Sequence, residues 1–207
     1  MVQRYYDKPP GSQARTPFSS EGFLRGGTIP RRGGGEMYIS DLPPFLRALL
    51  VTDGTVTKIL AAYFWEPVEV RTLQQEFTAA ERRIEWIHVD ANDRVLIRRA
   101  LLRGVDSARV FASAFSVIRT ELIPATFRQR LIDREIGIGV LIRDSGLESY
   151  REVLEVGVEP ARTGDDDLTS RGEQVFRTYR IIIDQRPVIL ITESFPLPLY
   201  RKQAAAV

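Results

Sequence analysis

Arg186-Pro187-Val188-Ile189-Leu190-Ile191-Thr192-Glu193-Ser194-Phe195-Pro196 is the stretch whose reading decides the fold. It is rich in β-branched residues and bounded by prolines, so it reads as a β-strand. Side chains along a strand alternate between faces. Ile189, Ile191, Glu193 and Phe195 therefore share one face, and Val188, Leu190, Thr192 and Ser194 share the other. Glu193 is thus placed among three large apolar side chains. A carboxylate in that setting is costly unless it is paired or put to use. It is either the partner of an arginine or an acid–base group whose proton affinity is raised by desolvation.

Working outward, Arg177–Ile183 is a second apolar run, joined to the first by a turn around Asp184-Gln185-Arg186 as a hairpin. Glu148–Val158 reads as a further strand, with Tyr150, Val153, Val156 and Val158 as its apolar positions. Arg94–Arg103 and Ala108–Ile118 form another hairpin across Gly104-Val105-Asp106-Ser107, and Pro67–Leu73 alternates as a strand. Between them lie helical patterns. Phe45, Leu46, Leu49 and Leu50 follow helical spacing after Asp41, a candidate N-cap, and Pro43-Pro44. A second short helix starts at Thr55 or Thr57 and runs through Tyr63. Pro124–Ile132 reads as a third, and Ile136–Ile142 as a tight turn into a fourth. Residues 76–88 carry both helical and extended character, and Phe64 and Trp65-Glu66 read as core and the start of a strand. The expected class is α+β: an antiparallel β-sheet of about six strands covered by helices on one side.

Residues 1–36 differ in composition, holding 7 of the 15 glycines and 4 of the 12 prolines, with six basic against three acidic side chains. The expectation is a disordered tail followed by a single domain over residues 37–207. Gly33-Gly34-Gly35-Glu36 before Met37 further suggests that the natural start is at or near Met37. The whole chain carries a net charge of only +2, too little to recruit nucleic acid or a membrane surface, and no apolar run has the length of a membrane span. There is no cysteine and one histidine, His88, which removes disulfide and thiolate chemistry and makes histidine-rich metal sites and Ser-His-Asp triads poor fits. A cytoplasmic protein is expected.

The remaining chemistry rests on few residues. Leu96, Arg98, Ala100 and Leu102 share one face of the 94–103 strand, and Val95, Ile97, Arg99 and Leu101 the other. Both faces are apolar, so an arginine enters a covered environment, where its rigid fork of donors needs a carboxylate or an anionic ligand. Parity does not separate Arg98 from Arg99. Asp165-Asp166-Asp167 lacks the spacing of a calcium loop and reads as a solvated turn, and Gly137-Ile138-Gly139 lacks the third glycine of a dinucleotide fingerprint. His88 beside Trp86 reads as a packed edge residue.

From Leu42 to Arg201 the chain resembles the chorismate pyruvate-lyase family, whose members make 4-hydroxybenzoate and pyruvate from chorismate. The resemblance is carried by Leu42-Pro43-Pro44 with Leu49-Leu50, Asp53-Gly54-Thr55-Val56-Thr57-Lys58, Leu96-Ile97-Arg98-Arg99-Ala100-Leu101-Leu102, Ile138-Gly139, and Pro187 to Phe195 with its Thr192-Glu193 pair. It implies a chorismate lyase-like fold. Position by position, it assigns Arg98 to the product carboxylate, Glu193 to the other end of the product, and Val56 and Ile138 to the pocket wall. Val56 stands where the resemblance places methionine and Ile138 where it places leucine; both remain apolar. It further implies a cofactor-free carbon–oxygen lyase with no metal, acting as a monomer or dimer on a small molecule. The competing expectation is a non-catalytic sensor of the GntR/HutC effector-domain type, which Phe115–Phe127 and its following helix also resemble, or a lyase acting on a related aromatic precursor.

Overall fold

A computed structural model of the 207-residue chain describes residues 17–18, 24–133, 137–161 and 172–204. Two short strands, β1 (Thr28–Pro30) and β2 (Glu36–Tyr38), pair with each other. Six longer ones, β3 (Val68–Ala79), β4 (Arg94–Gly104), β5 (Val110–Ile118), β6 (Ser149–Pro160), β7 (Glu173–Ile183) and β8 (Arg186–Pro196), make one antiparallel sheet in the order β3-β4-β5-β8-β7-β6. The opening stretch is therefore a central strand, β8, and 10 of its 11 residues are buried. The ambiguous residues after Leu73 continue β3 to Ala79, with a register shift between Thr72 and Gln74.

The β7–β8 turn places Asp184 and Gln185 at φ of 49° and 61°. Two left-handed residues in succession match the twist of the strands they join. The register then shifts between Ile181 and Ile182: Ile182 faces Pro187, whereas Ile181 faces Ile189, leaving Val188 as the extra residue. Pro187 has no N–H to give to the ladder, so a bulge beside it is physically apt. Beyond it, Arg177 lies opposite Glu193 and Tyr179 opposite Ile191.

Five helices are described: α1 (Pro44–Val51), α2 (Val56–Phe64), α3 (Ala125–Ile132), α4 (Ile138–Ser145) and α5 (Leu197–Ala204). Asp41 does not cap α1 as expected. It lies in a preceding 3-10 turn, Ile39–Asp41, and Pro43 occupies the N-cap. The proline at 44 disfavours helical backbone at 43 and suits the first helical position itself. Leu46, Leu49, Leu50, Val56 and Leu60 from α1 and α2 pack with Leu102, Phe111, Val175, Phe195 and Tyr200. Phe127, Leu131, Leu141 and Ile142 from α3 and α4 pack on Leu96, Ile118, Ile181 and Ile189. These sheet residues share one face, so the helices cover one side of the sheet. The reverse side is closed by the 80–93 segment, whose Trp86 and Ile87 pack against Ile97, Val117 and Leu190. His88 and Trp65 are both exposed, in left-handed conformations that end a 3-10 turn and α2 respectively, so Trp65 is surface rather than core.

The expectation of a disordered tail over residues 1–36 fails for residues 24–36. Ile29 is fully buried in the main core, with Met37 beside it. Arg31 forms a parallel bridge with Val158 on the open edge of β6, and the Arg32 N–H donates to the Val158 carbonyl at 2.7 Å. The Arg32 guanidinium sits 4.1 Å from the Phe176 ring centre and donates to Glu159 at 2.8 Å. Composition misjudged the segment because a sheet edge offers ready backbone partners, and one or two apolar anchors then suffice. A chain begun at Met37 would lack the Ile29 anchor. Residues 1–16 and 19–23, like Ile136 and the Asp165-Asp166-Asp167 turn, lie outside the described residues.

Gly157 tests this docking. A Cβ there would meet the Phe176 ring at 2.8 Å and the Pro30 carbonyl at 2.9 Å. Gly157→Ala is expected to destabilise the fold by about 1–3 kcal/mol, the usual range for overpacking. Urea denaturation should show a lower midpoint at unchanged slope. An unchanged midpoint would mean that β1 does not sit against β6.

Candidate functional site

One cavity lies on the helix-covered side of the sheet, under the first turns of α2 and α4. It encloses about 660 Å³ free of protein atoms, with open solvent at its mouth included. Its floor is made by inward residues of the sheet, among them Arg98, Ala100, Ala114, Ser116, Tyr179, Ile181, Ile191 and Glu193. Its roof is made by residues 54–57 and 137–140. The wall is mostly apolar, and its charged groups among the described residues are Arg98, Arg151 and Glu193.

All four residues singled out from the sequence line this cavity. Val56 and Ile138 are the first residues of α2 and α4, on opposite parts of the roof. Arg98 is 2 % exposed, and its Nη2 donates to the Thr72 hydroxyl at 2.8 Å. Arg99 is half-buried on the reverse face, opposite Phe115. The two arginines that parity left equivalent are thus separated by which face of β4 carries the cavity.

Glu193 is buried, but not among apolar side chains alone. The Arg177 Nε donates to its Oε2 at 2.8 Å, and the Tyr179 hydroxyl donates to its Oε1 at 3.1 Å. Arg177 is fully buried, and its Nη1 also donates to the Leu49 and Thr52 carbonyls, each at 2.6 Å. The carboxylate is therefore charge-compensated by a guanidinium that is itself held by the C-terminal end of α1. Such a guanidinium suits that end, where carbonyls lack partners and the helix dipole is negative. Burial, followed by the negative charge of Glu193, holds the Tyr179 hydroxyl well above the usual tyrosine range, so it remains a proton-bearing donor.

Arg177, Tyr179 and Arg151 were missed as site residues. The signal that flagged Arg98 was available for Arg177 too: an arginine within an apolar strand. What was not available was the bulge that puts Arg177 opposite Glu193. Loop length alone, counted from the Ile183–Arg186 pair, sets Arg177 against Thr192 instead. Thr192 in fact faces Thr178, and their hydroxyls lie 2.9 Å apart in a buried pair.

The cavity thus combines an anchored arginine, an ion-paired carboxylate with a phenolic donor, and an apolar lining. Such a site can orient a ring bearing an anionic group at one end and a hydroxyl at the other.

The family model described as Chorismate pyruvate-lyase Rv2949c-like matches residues 50–203. A protein of Mycobacterium leprae named chorismate pyruvate-lyase is 32% identical over 155 residues, covering 72% of this chain and 73% of that protein. A protein of the same name from Mycobacterium tuberculosis strain H37Rv is 28% identical over 164 residues, covering 75% and 81%. Among solved structures, a GntR-family transcriptional regulator from Bacillus cereus superposes with a TM-score of 0.50 at 15% identity, over 64% of this chain and 92% of that one. This last likeness is one of fold.

Proposed function

Because the chain belongs to the Rv2949c-like chorismate pyruvate-lyase family, we propose that it converts chorismate to 4-hydroxybenzoate and pyruvate. The observation that carries the proposal is that Arg98 and Glu193 line one apolar cavity from strands two apart in the sheet. Ser116 pairs with both Arg98 and Ile191, so Glu193 lies two residues further along β8. At ordinary strand spacing and rise this separates the two Cα atoms by about 12 Å. A para-substituted six-membered ring fits between side chains reaching inward from such positions.

In this reading Arg98 holds the ring carboxylate through charge-assisted hydrogen bonds. Val56, Ile138 and the apolar floor hold the ring. Glu193 and Tyr179 meet the end that carries the hydroxyl. The reaction breaks the bond from ring carbon 3 to the ether oxygen and removes the hydrogen on carbon 4. The ring becomes aromatic, and the departing enolpyruvate takes up a proton to become pyruvate. Glu193, accepting from both Arg177 and Tyr179, is the group suited to receive the carbon-4 proton. Aromatisation supplies driving force, so the chemistry calls for no cofactor or metal. The rate comes from orientation and preorganised charge.

No helix among the described residues is long and apolar enough to cross a membrane. The test is incubation of the purified protein with chorismate, without added metal, while following both products. 4-Hydroxybenzoate and pyruvate should appear in equal amounts. Salicylate or 3-hydroxybenzoate would reassign the protein to a related lyase reaction. Tight 4-hydroxybenzoate binding without turnover would favour a sensor instead.

A further inference from the structure

Arg151 is the charged cavity residue that holding and aromatising the ring leaves without a task. It lies on β6, at the far side of the sheet from Arg98 on β4, with β5, β8 and β7 between them. The register rows place it two residues off the Arg98 row, because Arg151 aligns through Ile181, Ile189 and Ile118 with Leu96. Four strand spacings and that offset separate the two Cα atoms by roughly 20 Å. Both guanidinium groups line the cavity, so they face it from opposite ends, with Glu193 on the strand between.

The surroundings of Arg151 are those of an anion site. Among the described residues it donates one hydrogen bond, from Nη1 to the Asp53 carbonyl at 2.6 Å, and has no carboxylate partner. Its Nη2 faces the position where a Cβ at Gly139 would stand, at 3.9 Å, and the Thr55 side chain approaches the same point at 3.5 Å. Gly139 is the second residue of α4, and Thr55 is the N-cap residue of α2, with no side-chain cap hydrogen bond. Two helix starts, each with backbone N–H groups that lack intrahelical acceptors, therefore converge beside a guanidinium. Among the described residues, Glu193 is ion-paired with Arg177 behind the wall, which leaves Arg98 and Arg151 as the two lining guanidinium groups that face the cavity.

We propose that Arg151, with the first turns of α2 and α4, binds the second carboxylate of the substrate, the one on the three-carbon enol ether. This inference rests on the proposed lyase function and adds to it the residue that distinguishes substrate from product. The substrate is a dianion, with one carboxylate for each of the two lining guanidinium groups. The aromatic product keeps only the ring carboxylate, and the second anion leaves with pyruvate. Arg151 therefore contributes to substrate binding and not to retention of 4-hydroxybenzoate.

Arg151→Met removes the charge while keeping much of the stem. It should raise KM for chorismate about 10- to 100-fold, as expected for losing charge-assisted hydrogen bonds. The affinity for 4-hydroxybenzoate should stay within about twofold of wild type. Arg151→Lys should recover part of the loss in KM. An equal weakening of chorismate and 4-hydroxybenzoate would overturn the assignment, since it would mark Arg151 as a support for the 53–55 loop only. An unchanged KM would overturn it as well. A second measurement needs no variant: 3-(carboxymethoxy)-4-hydroxybenzoate, which carries both carboxylates, should compete at least about tenfold more tightly than 4-hydroxybenzoate against the wild-type protein. Equal or weaker competition would sink the proposal. Absence of chorismate turnover by the wild type is a different result, and removes the lyase reading itself.

Discussion

Arg98→Met is expected to lower kcat/KM for chorismate by about 10²- to 10⁴-fold while leaving the protein folded. The magnitude follows from what the cavity asks of this side chain. A guanidinium meeting a carboxylate in a covered site makes two charge-assisted hydrogen bonds, each worth about 1.5–3 kcal/mol, and about 1.4 kcal/mol is a factor of ten. Folding should survive because methionine fills much of the arginine stem, and Thr72 loses only the hydrogen bond it accepts from Nη2. In contrast to Arg151→Met, this variant should also lose 4-hydroxybenzoate, because the ring carboxylate is common to substrate and product. Calorimetric titration with 4-hydroxybenzoate alongside steady-state kinetics checks both parts. Wild-type affinity for the product in a folded Arg98→Met protein would remove Arg98 from the site.

Glu193→Gln is expected to lower kcat by about 10²- to 10⁴-fold, the usual contribution of a positioned acid–base group. Glutamine retains the shape and a carbonyl acceptor for the Arg177 Nε, so 4-hydroxybenzoate should still bind. The more common alanine substitution is a poorer probe here. Either substitution removes the counter-charge of the fully buried Arg177, but alanine also removes the acceptor of its Nε and leaves a gap, and breaking one side of a buried ion pair costs about 3–5 kcal/mol. An inactive Glu193→Ala protein could thus be inactive through loss of folding. The glutamine variant separates the two effects: thermal unfolding reports the Arg177 pairing, and kcat reports the proton transfer. A Glu193→Gln protein with full kcat would show that Glu193 holds Arg177 and Tyr179 in place and does no chemistry.

The site was legible in the sequence where a polar residue violated an apolar pattern. Glu193 and the Arg98-Arg99 pair stood out because strand parity put charges among large apolar side chains, and Glu193 and Arg98 line the cavity. The same rule applied to Arg177, yet its role stayed hidden, because pairing it with Glu193 needs the register and not merely the face. The N-terminal segment was misjudged for a related reason. Composition reports how much apolar surface a segment owns, whereas residues 24–36 are held by the unpaired edge of β6, by Ile29 and by one stacked arginine. Arg151 and the two helix starts that meet it come from residues 53–55, 137–140 and 151, far apart in the chain, and no local pattern announces their meeting.

By itself the sequence determined the central parts of the six long strands and of α1 to α4, the antiparallel α+β class, and the face shared by Ile189, Ile191, Glu193 and Phe195, though not β1, β2 or α5. These are local matters, set by alternation, turn residues and proline. Parity was silent between Arg98 and Arg99 because both faces of β4 are buried; the resemblance named Arg98, and the tertiary structure put that side chain on the cavity face. Only the tertiary structure placed Arg177 opposite Glu193, through the single extra residue at Val188. A one-residue bulge changes every pairing beyond it, and its presence is settled by packing on both faces of a central strand. The closing strand thus carries its carboxylate by sequence, and acquires the partner that makes it usable only when the sheet has formed.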